Sequence, residues 1–125
     1  MSIRGSDRDE GAIAAAQANA SRAGVGDDVE LVVTPLSSAQ PVGDRPGALI
    51  VNPPYGVRVG ETRALRDLYA ALGNVARERF GGWTVGLLSP GAQLETQLRL
   101  ALEERFATSN GGIAVHLMVG HVAAR

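Results

Sequence analysis

The sequence contains no cysteine, and this absence excludes two kinds of stabilisation. Neither a disulfide framework nor a thiolate metal site can form, which suits a cytosolic protein, and we expect a cytoplasmic location. His116 and His121 have no companions at metal-ligand spacing, so we expect no metal. No apolar run approaches the roughly 18 residues that span a membrane, and the N-terminus lacks the apolar core of a signal peptide. We therefore expect no membrane partner.

An excess of charge of one sign is also lacking, because the net charge is −1 at pH 7. All 12 basic residues are arginine, which binds phosphate well, although a biased genome composition gives the same count. No global basic field attracts nucleic acid. An RNA substrate would therefore be bound largely through another domain or partner.

The chain of 125 residues, 45% of them hydrophobic, fits one domain spanning residues 1–125. Apolar spacing and turn residues predict strands that alternate with helices, followed by a hairpin that turns at residues 109–112. This pattern predicts a mostly parallel α/β sheet with a C-terminal antiparallel hairpin. The predicted strands are residues 2–6, 29–33, 47–51, 83–89, 103–108 and 112–119, and the predicted helices are 10–23, 61–80 and 91–101.

The ends of the predicted helices carry local signals. Ser6 or Asp9 fits the N-cap of the first helix, and Gly24 fits the position just past its end. Pro90 suits the first turn of the last helix, where its missing N–H costs nothing.

The most informative stretch is Asn52-Pro53-Pro54-Tyr55, which follows the apolar residues 48–51. The two prolines fix φ and remove two backbone donors, so the loop is stiff and presents mainly carbonyl acceptors. Asn52 adds a side-chain amide, and Tyr55 adds a flat ring with a polar end. These four residues, called the clamp below, predict a rigid site for a planar group that bears an NH2. The alternative is a Pro-rich turn without a function.

The clamp resembles the catalytic loop of S-adenosylmethionine (SAM)-dependent methyltransferases that modify exocyclic or amide nitrogens. The resemblance implies that the Asn52 side-chain oxygen and the Pro53 carbonyl accept the two N–H bonds of the target amine. They would stabilise the positive charge that develops on the nitrogen and align the amine with the methyl group. Tyr55 would stack on the target, which for a nucleobase contributes roughly 1–3 kcal/mol.

Further segments resemble one family, the guanine-N2 methyltransferases of ribosomal and transfer RNA, whose catalytic domain usually follows an N-terminal THUMP RNA-binding domain. The resemblance runs from about residue 4 to the end of the chain and depends on the order and spacing of the segments. It implies methyl transfer from SAM to an exocyclic amine, with guanine N2 of ribosomal RNA as the first choice. The segments are residues 5–9, 18–20, 23–25, 49–58, 68–69, 72–73 and 80–83.

The family fold is a class I SAM methyltransferase sheet, Rossmann-like, with strand order 3-2-1-4-5-7-6. The resemblance assigns residues 2–6 to strand two, residues 29–33 to strand three and residues 47–51 to strand four. The clamp would then lie at the carboxyl end of strand four, where open α/β sheets bind their ligands.

The resemblance also assigns residues to the cofactor and the substrate. Asp7 matches the acidic residue that accepts hydrogen bonds from the ribose hydroxyls of SAM, with Asp9 as its neighbouring candidate. Arg8 would lie near the adenine edge, although a solvated charge is the simpler explanation. Tyr55, Gly56 and Arg58 would contact the substrate, and Arg58 would bind phosphate or serve only as a surface charge.

Two departures from the family pattern concern the cofactor pocket. The first strand and the glycine-rich loop of the family precede residue 1, which leaves strands two and four without the strand that separates them. Pro35 stands where an acidic residue usually binds the adenine amine, although Ser37 or Ser38 could substitute. We therefore expect the chain to be the C-terminal part of a methyltransferase catalytic domain. It would be a fragment, the product of a mis-called start codon, or a decayed copy of the gene.

Two other functions stay open at this point. The same clamp serves enzymes that methylate adenine amino groups in DNA or glutamine amides in proteins. Alternatively, the chain is a non-catalytic module that acts in dimerisation or RNA binding, and a homodimer would complete its sheet.

The incomplete cofactor pocket gives a testable prediction. The isolated chain of 125 residues should bind SAM poorly or not at all, because the loop that surrounds the methionine part is missing. Isothermal titration calorimetry measures this directly, and micromolar affinity would contradict it.

Overall fold

The computed structural model describes residues 1–55 and 62–124, which divide into two compact units, Met1–Arg45 and Pro46–Arg125. No helix in these described ranges has the length and apolarity that a membrane span requires. The strands are β1 (Ile3–Asp7), β2 (Val29–Val33), β3 (Ala48–Val51), β4 (Thr84–Ser89), β5 (Leu102–Asn110) and β6 (Ile113–His121), and the helices are α1 (Glu10–Arg22), α2 (Thr62–Arg79) and α3 (Ala92–Leu98), with a short 3-10 helix at Leu36–Ser38.

The first unit is a strand–helix–strand motif in which β1 and β2 pair in parallel, from Ile3 opposite Val29 to Asp7 opposite Val33. The connecting helix α1 packs on this pair and buries Ile13. Asp9 is the N-cap of α1, because its side chain accepts a hydrogen bond from the Gly11 amide at 3.0 Å. Of the two predicted caps, Asp9 is therefore confirmed. Gly24, with φ of +76°, lies just past the C-cap, as predicted.

The second unit contains a four-stranded mixed sheet with the order β3-β4-β6-β5. Strands β3 and β4 are parallel, whereas β6 is antiparallel to both β4 and β5. This order equals the 4-5-7-6 portion of the family sheet, and the pair of β1 and β2 corresponds to strands two and three. The predicted α/β class with a C-terminal antiparallel hairpin is confirmed.

The core of the second unit lies between this sheet and α2. The apolar stripe of α2 buries Leu72, Val75 and Ala76, while β4 contributes Val85 and Leu87 from the facing side of the sheet. The opposite face of the sheet is more open, since Ile50 is 70% exposed. Helix α2 therefore fixes the position of the two parallel strands from one side.

Helix α3 differs from its prediction at both ends. It begins at Ala92 with Gly91 as the N-cap, so Pro90 precedes the helix and the prediction that it lies in the first turn is wrong. Just before the helix, the Ser89 hydroxyl accepts a hydrogen bond from the Gly91 amide at 3.1 Å. The helix ends at Leu98 rather than near residue 101, because Arg99 is left-handed, with φ of 52°.

Helices α2 and α3 approach each other closely at Gly73. A Cβ atom at this position would overlap the carbonyl oxygen of Leu98 and lie 2.7 Å from its carbonyl carbon. The Arg77 guanidinium donates to the Leu98 carbonyl and, at 3.2 Å, to the Arg99 carbonyl, so it caps the end of α3. Any side chain at position 73 would therefore force the two helices apart.

This close contact predicts a large loss of stability for Gly73→Ala. Overpacking of this kind costs typically 1–3 kcal/mol, and a backbone neighbour cannot move aside as a side chain does. Urea unfolding followed by the fluorescence of Trp83 reports on the second unit. The control is Gly11→Ala in α1, where the nearest atom is 3.4 Å away, and it should leave the Trp83 transition unchanged. Equal midpoints for Gly73→Ala and the unaltered chain would contradict the prediction.

Candidate active site

The clamp lies directly after β3, at the carboxyl edge of the parallel pair formed by β3 and β4. Asn52 and Pro54 are exposed, Pro53 is buried, and Tyr55 is half-buried. Pro53 anchors the loop in the protein, while the Asn52 amide is accessible from solvent. The clamp therefore combines a buried proline with an exposed asparagine side chain.

A tyrosine from α2 supports the clamp from below. Tyr69 is fully buried, and its hydroxyl donates a hydrogen bond to the Pro54 carbonyl at 3.3 Å. A buried hydroxyl needs a hydrogen-bond partner, because without one it loses its hydrogen bonds to water and gains none in return. The bond therefore fixes the direction of the Pro54 carbonyl. Among the described residues, no donor binds the Pro53 carbonyl or the Asn52 side chain.

Tyr69 is part of a small polar cluster beneath the clamp. The pKa of Tyr69 is raised to about 12, first by its burial and then by the nearby Tyr55 and Glu95. Glu95 accepts a hydrogen bond from the buried Ser89 hydroxyl at 2.6 Å, where β4 ends. The Tyr69 hydroxyl thus keeps its proton over the whole neutral range and stays a donor to the clamp.

The tip of the β5–β6 hairpin supports the clamp from a second side. Asn110 is the last residue of β5, and its side-chain amide donates a hydrogen bond to the Tyr55 hydroxyl. The contact joins residues that are 55 positions apart in the sequence. The far end of the Tyr55 ring is therefore held by the hairpin.

The predicted cofactor residues lie in the first unit. Asp7 is the last residue of β1, is exposed, and accepts a hydrogen bond from the Asp9 amide at 2.9 Å. The Asp7 carboxylate therefore lies at the carboxyl end of a parallel strand, and its contact with the ribose of SAM stays a prediction. Arg8 is exposed as well. Pro35 precedes the short 3-10 helix and offers no side-chain acceptor to adenine.

Other predicted site features fall elsewhere. Gly56 and Arg58 lie outside the described residues, so their substrate contacts stay predictions. The Nδ1 atom of His116 lies against the Glu104 carboxylate. Within the described part of the chain, no group of three or more metal-type side chains comes together.

An open groove lies at the opposite end of the sheet and contains none of the predicted site residues. It is lined by Thr84, Ala101, Leu102, Glu103, Arg105, Val119, Gly120 and His121.

Sequence reasoning assigned neither Tyr69 nor Asn110 to the site. A signal for Tyr69 was present, because a tyrosine within the apolar stripe of α2 must find a partner for its hydroxyl. Asn110 was interpreted only as a turn residue. No local pattern could reveal its contact with Tyr55, which depends on how the hairpin returns to the sheet.

Comparison with known proteins supports the family predicted from the sequence. A family model described as "UPF0020: RMKL-like, methyltransferase domain" matches residues 1–118. The chain is 37% identical over 119 residues to the ribosomal RNA large subunit methyltransferase K/L of Desulfotalea psychrophila. The match covers 95% of this chain but only 16% of that protein.

Two solved structures show the same fold. SMU.472, assigned as a methyltransferase and solved in complex with SAH, superposes with a TM-score of 0.85 at 27% identity, covering 98% of this chain and 32% of that one. A predicted N6-adenine-specific DNA methylase from Listeria monocytogenes gives a TM-score of 0.72 at 27% identity, covering 92% and 29%. The class I methyltransferase fold predicted from the sequence is therefore confirmed.

The raised pKa of Tyr69 gives a prediction about alkaline stability. An unfolded tyrosine loses its proton near pH 10, whereas folded Tyr69 keeps it to about 12. The unfolded state therefore binds fewer protons between these values, and the free energy of unfolding should fall as pH rises. We expect a loss of about 1 kcal/mol between about pH 9 and about pH 11.

Urea unfolding at the two pH values measures this loss, and Tyr69→Phe should remove most of the slope. Tyr55→Phe is the matched control, because the pKa of Tyr69 depends mainly on burial, and it should keep most of the slope. An unchanged slope in Tyr69→Phe would show that another group causes the alkaline loss.

Proposed function

The chain belongs to the RMKL-like methyltransferase domain family, and on this basis we propose that it carries the amine-binding part of a SAM-dependent RNA methyltransferase. Its proposed target is an exocyclic amino group, with guanine N2 of ribosomal RNA as the first choice. The chain spans about a sixth of the Desulfotalea protein that it matches. The proposal has three further parts. The RNA is bound through a further domain, the protein lies in the cytoplasm, and a homodimer completes the sheet.

The observation that carries this proposal is that Pro54 and Asn52 of the clamp are directed to opposite sides. The Pro54 carbonyl is directed inward to the Tyr69 hydroxyl, and the exposed Asn52 is directed to solvent. The Asn52 side-chain oxygen and the Pro53 carbonyl are then the two acceptors for an incoming amine. Two acceptors on a stiff loop match the two N–H bonds of an NH2 group.

An aryl amine is a weak nucleophile because its lone pair is delocalised into the ring. Acceptance of both N–H bonds by Asn52 and Pro53 orients the lone pair and lowers the cost of the positive charge on nitrogen. When bound, SAM supplies a methyl group activated by its positively charged sulfur. Asn52 and Pro53 would hold the amine while its nitrogen gains a methyl group and a positive charge, and the nitrogen would then lose one N–H proton to solvent.

The cofactor predicted from the sequence, SAM, agrees with the SAH held by SMU.472, since SAH is SAM without its methyl group. In this chain we assign the ribose contact to Asp7, whose exposed carboxylate ends β1. Tyr55 provides the flat surface on which the target base stacks.

Adenine is the second candidate target, because the Listeria neighbour is a predicted N6-adenine-specific DNA methylase. The clamp itself does not distinguish the amine of adenine from that of guanine, since both are planar NH2 groups. A glutamine amide satisfies the same two acceptors but offers no ring to Tyr55.

The clamp predicts selective binding of guanosine over inosine, which is guanosine without the N2 amine. Short single-stranded RNAs that differ only at this base should bind the chain with affinities that differ by roughly 5- to 150-fold, which corresponds to two hydrogen bonds of about 0.5–1.5 kcal/mol each. Asn52→Ala should reduce this difference. Fluorescence anisotropy with labelled RNA measures both effects.

Asn19→Ala is the control for Asn52→Ala, because Asn19 is an exposed asparagine on α1, outside the clamp. It should preserve the discrimination. Equal affinities for the two RNAs in the unaltered chain would overturn the amine clamp. Tighter binding of an adenosine-containing RNA than of the guanosine RNA would favour the adenine alternative.

A further inference from the structure

The contact between Asn110 and Tyr55 connects the hairpin to the clamp, and the hairpin turn does not explain it. The turn consists of Gly111 and Gly112, whose φ angles of 58° and 83° require glycine-like freedom. Asn110 itself is extended and pairs with Ile113 as the end of β5. Because the two glycines make the turn, position 110 does not need an asparagine for its backbone conformation.

Stability does not explain the asparagine either. Asn110 is exposed, and an exposed amide exchanges a hydrogen bond to water for one to protein with little net gain. The bond has instead a geometric effect. The Tyr55 side chain turns about two torsions, and a bond to the hydroxyl holds the end of the ring that is farthest from the backbone.

We infer that Asn110 is a positioning residue that sets the direction of the Tyr55 ring, and that the target-binding site extends from the clamp to the tip of the β5–β6 hairpin. This inference rests on the proposed function, because the position of the ring matters when a flat amine-bearing base stacks on it. Asn52 and Pro53 fix the amine, whereas Asn110 fixes the surface on which the rest of the base lies. The position of the amine and the position of the stacking surface must match for the amine to face the methyl donor.

The test uses a short single-stranded RNA that contains one 2-aminopurine, a fluorescent purine with an amine at position 2. Its fluorescence is quenched when it stacks, so one titration of the full chain, without SAM, reports affinity and stacking together. We expect Asn110→Ala to weaken binding about three- to tenfold, in proportion to one hydrogen bond, and to reduce the quenching at saturation. Ser109→Ala, an exposed neighbour on the same strand, should change neither.

A second variant separates positioning from a general effect on the hairpin. Tyr55→Phe keeps the ring but removes the hydroxyl, so it should resemble Asn110→Ala, and the double variant should be no weaker than either single one. Multiplied effects in the double variant would overturn the inference, because the two residues would then act independently. Thermal unfolding should be nearly the same for all these variants.

The remaining outcomes distinguish this inference from the proposed function. If Asn52→Ala weakens 2-aminopurine binding and Asn110→Ala leaves binding and quenching unchanged, only the inference fails. If the unaltered chain binds the probe without quenching it, the amine clamp fails and the inference fails with it.

Discussion

The buried hydroxyl of Tyr69 is the constraint on which the geometry of the candidate site depends. It lies within the apolar stripe of α2 and is fully buried, so it must find an acceptor. The Pro54 carbonyl is that acceptor. The two prolines cannot donate from their backbone nitrogens, and this part-buried bond from α2 holds the loop at the Pro54 carbonyl. Asn52, two residues earlier, is exposed.

The topology of the second unit explains why distant residues meet at this edge. Strands β3 and β4 are parallel, so Val51 and Ser89 end on the same side of the sheet. Strand β6 is antiparallel to β4 and pairs His116 with Ser89, so the strand begins beyond that same edge. The hairpin turn that precedes it therefore places Asn110 beside the clamp. A hairpin of another length would leave Tyr55 without this partner.

Local sequence signals predicted the regular elements well, because apolar spacing, Asp9 and Gly24 act within a few residues. They were less successful where a tertiary contact decides. Helix α3 ends early, at Leu98, where Arg77 from another helix donates to the Leu98 carbonyl. The clamp was recognised from its composition, but its supports were not. Tyr69 and Asn110 lie 14 and 55 residues after Tyr55, and only the packed sheet and helix bring them together.

Among the described residues, Tyr69 and Asn110 contact the clamp from within the second unit, whereas the predicted ribose ligand Asp7 lies in the first. Pro54 is therefore held by Tyr69, and Tyr55 is held by the hairpin. A clamp that is formed before SAM binds does not require binding energy to order it, which is the physical content of preorganisation. Recognition of the amine and binding of the methyl donor are then separate properties of this fold. Amine recognition can therefore be measured directly, with RNA and without SAM.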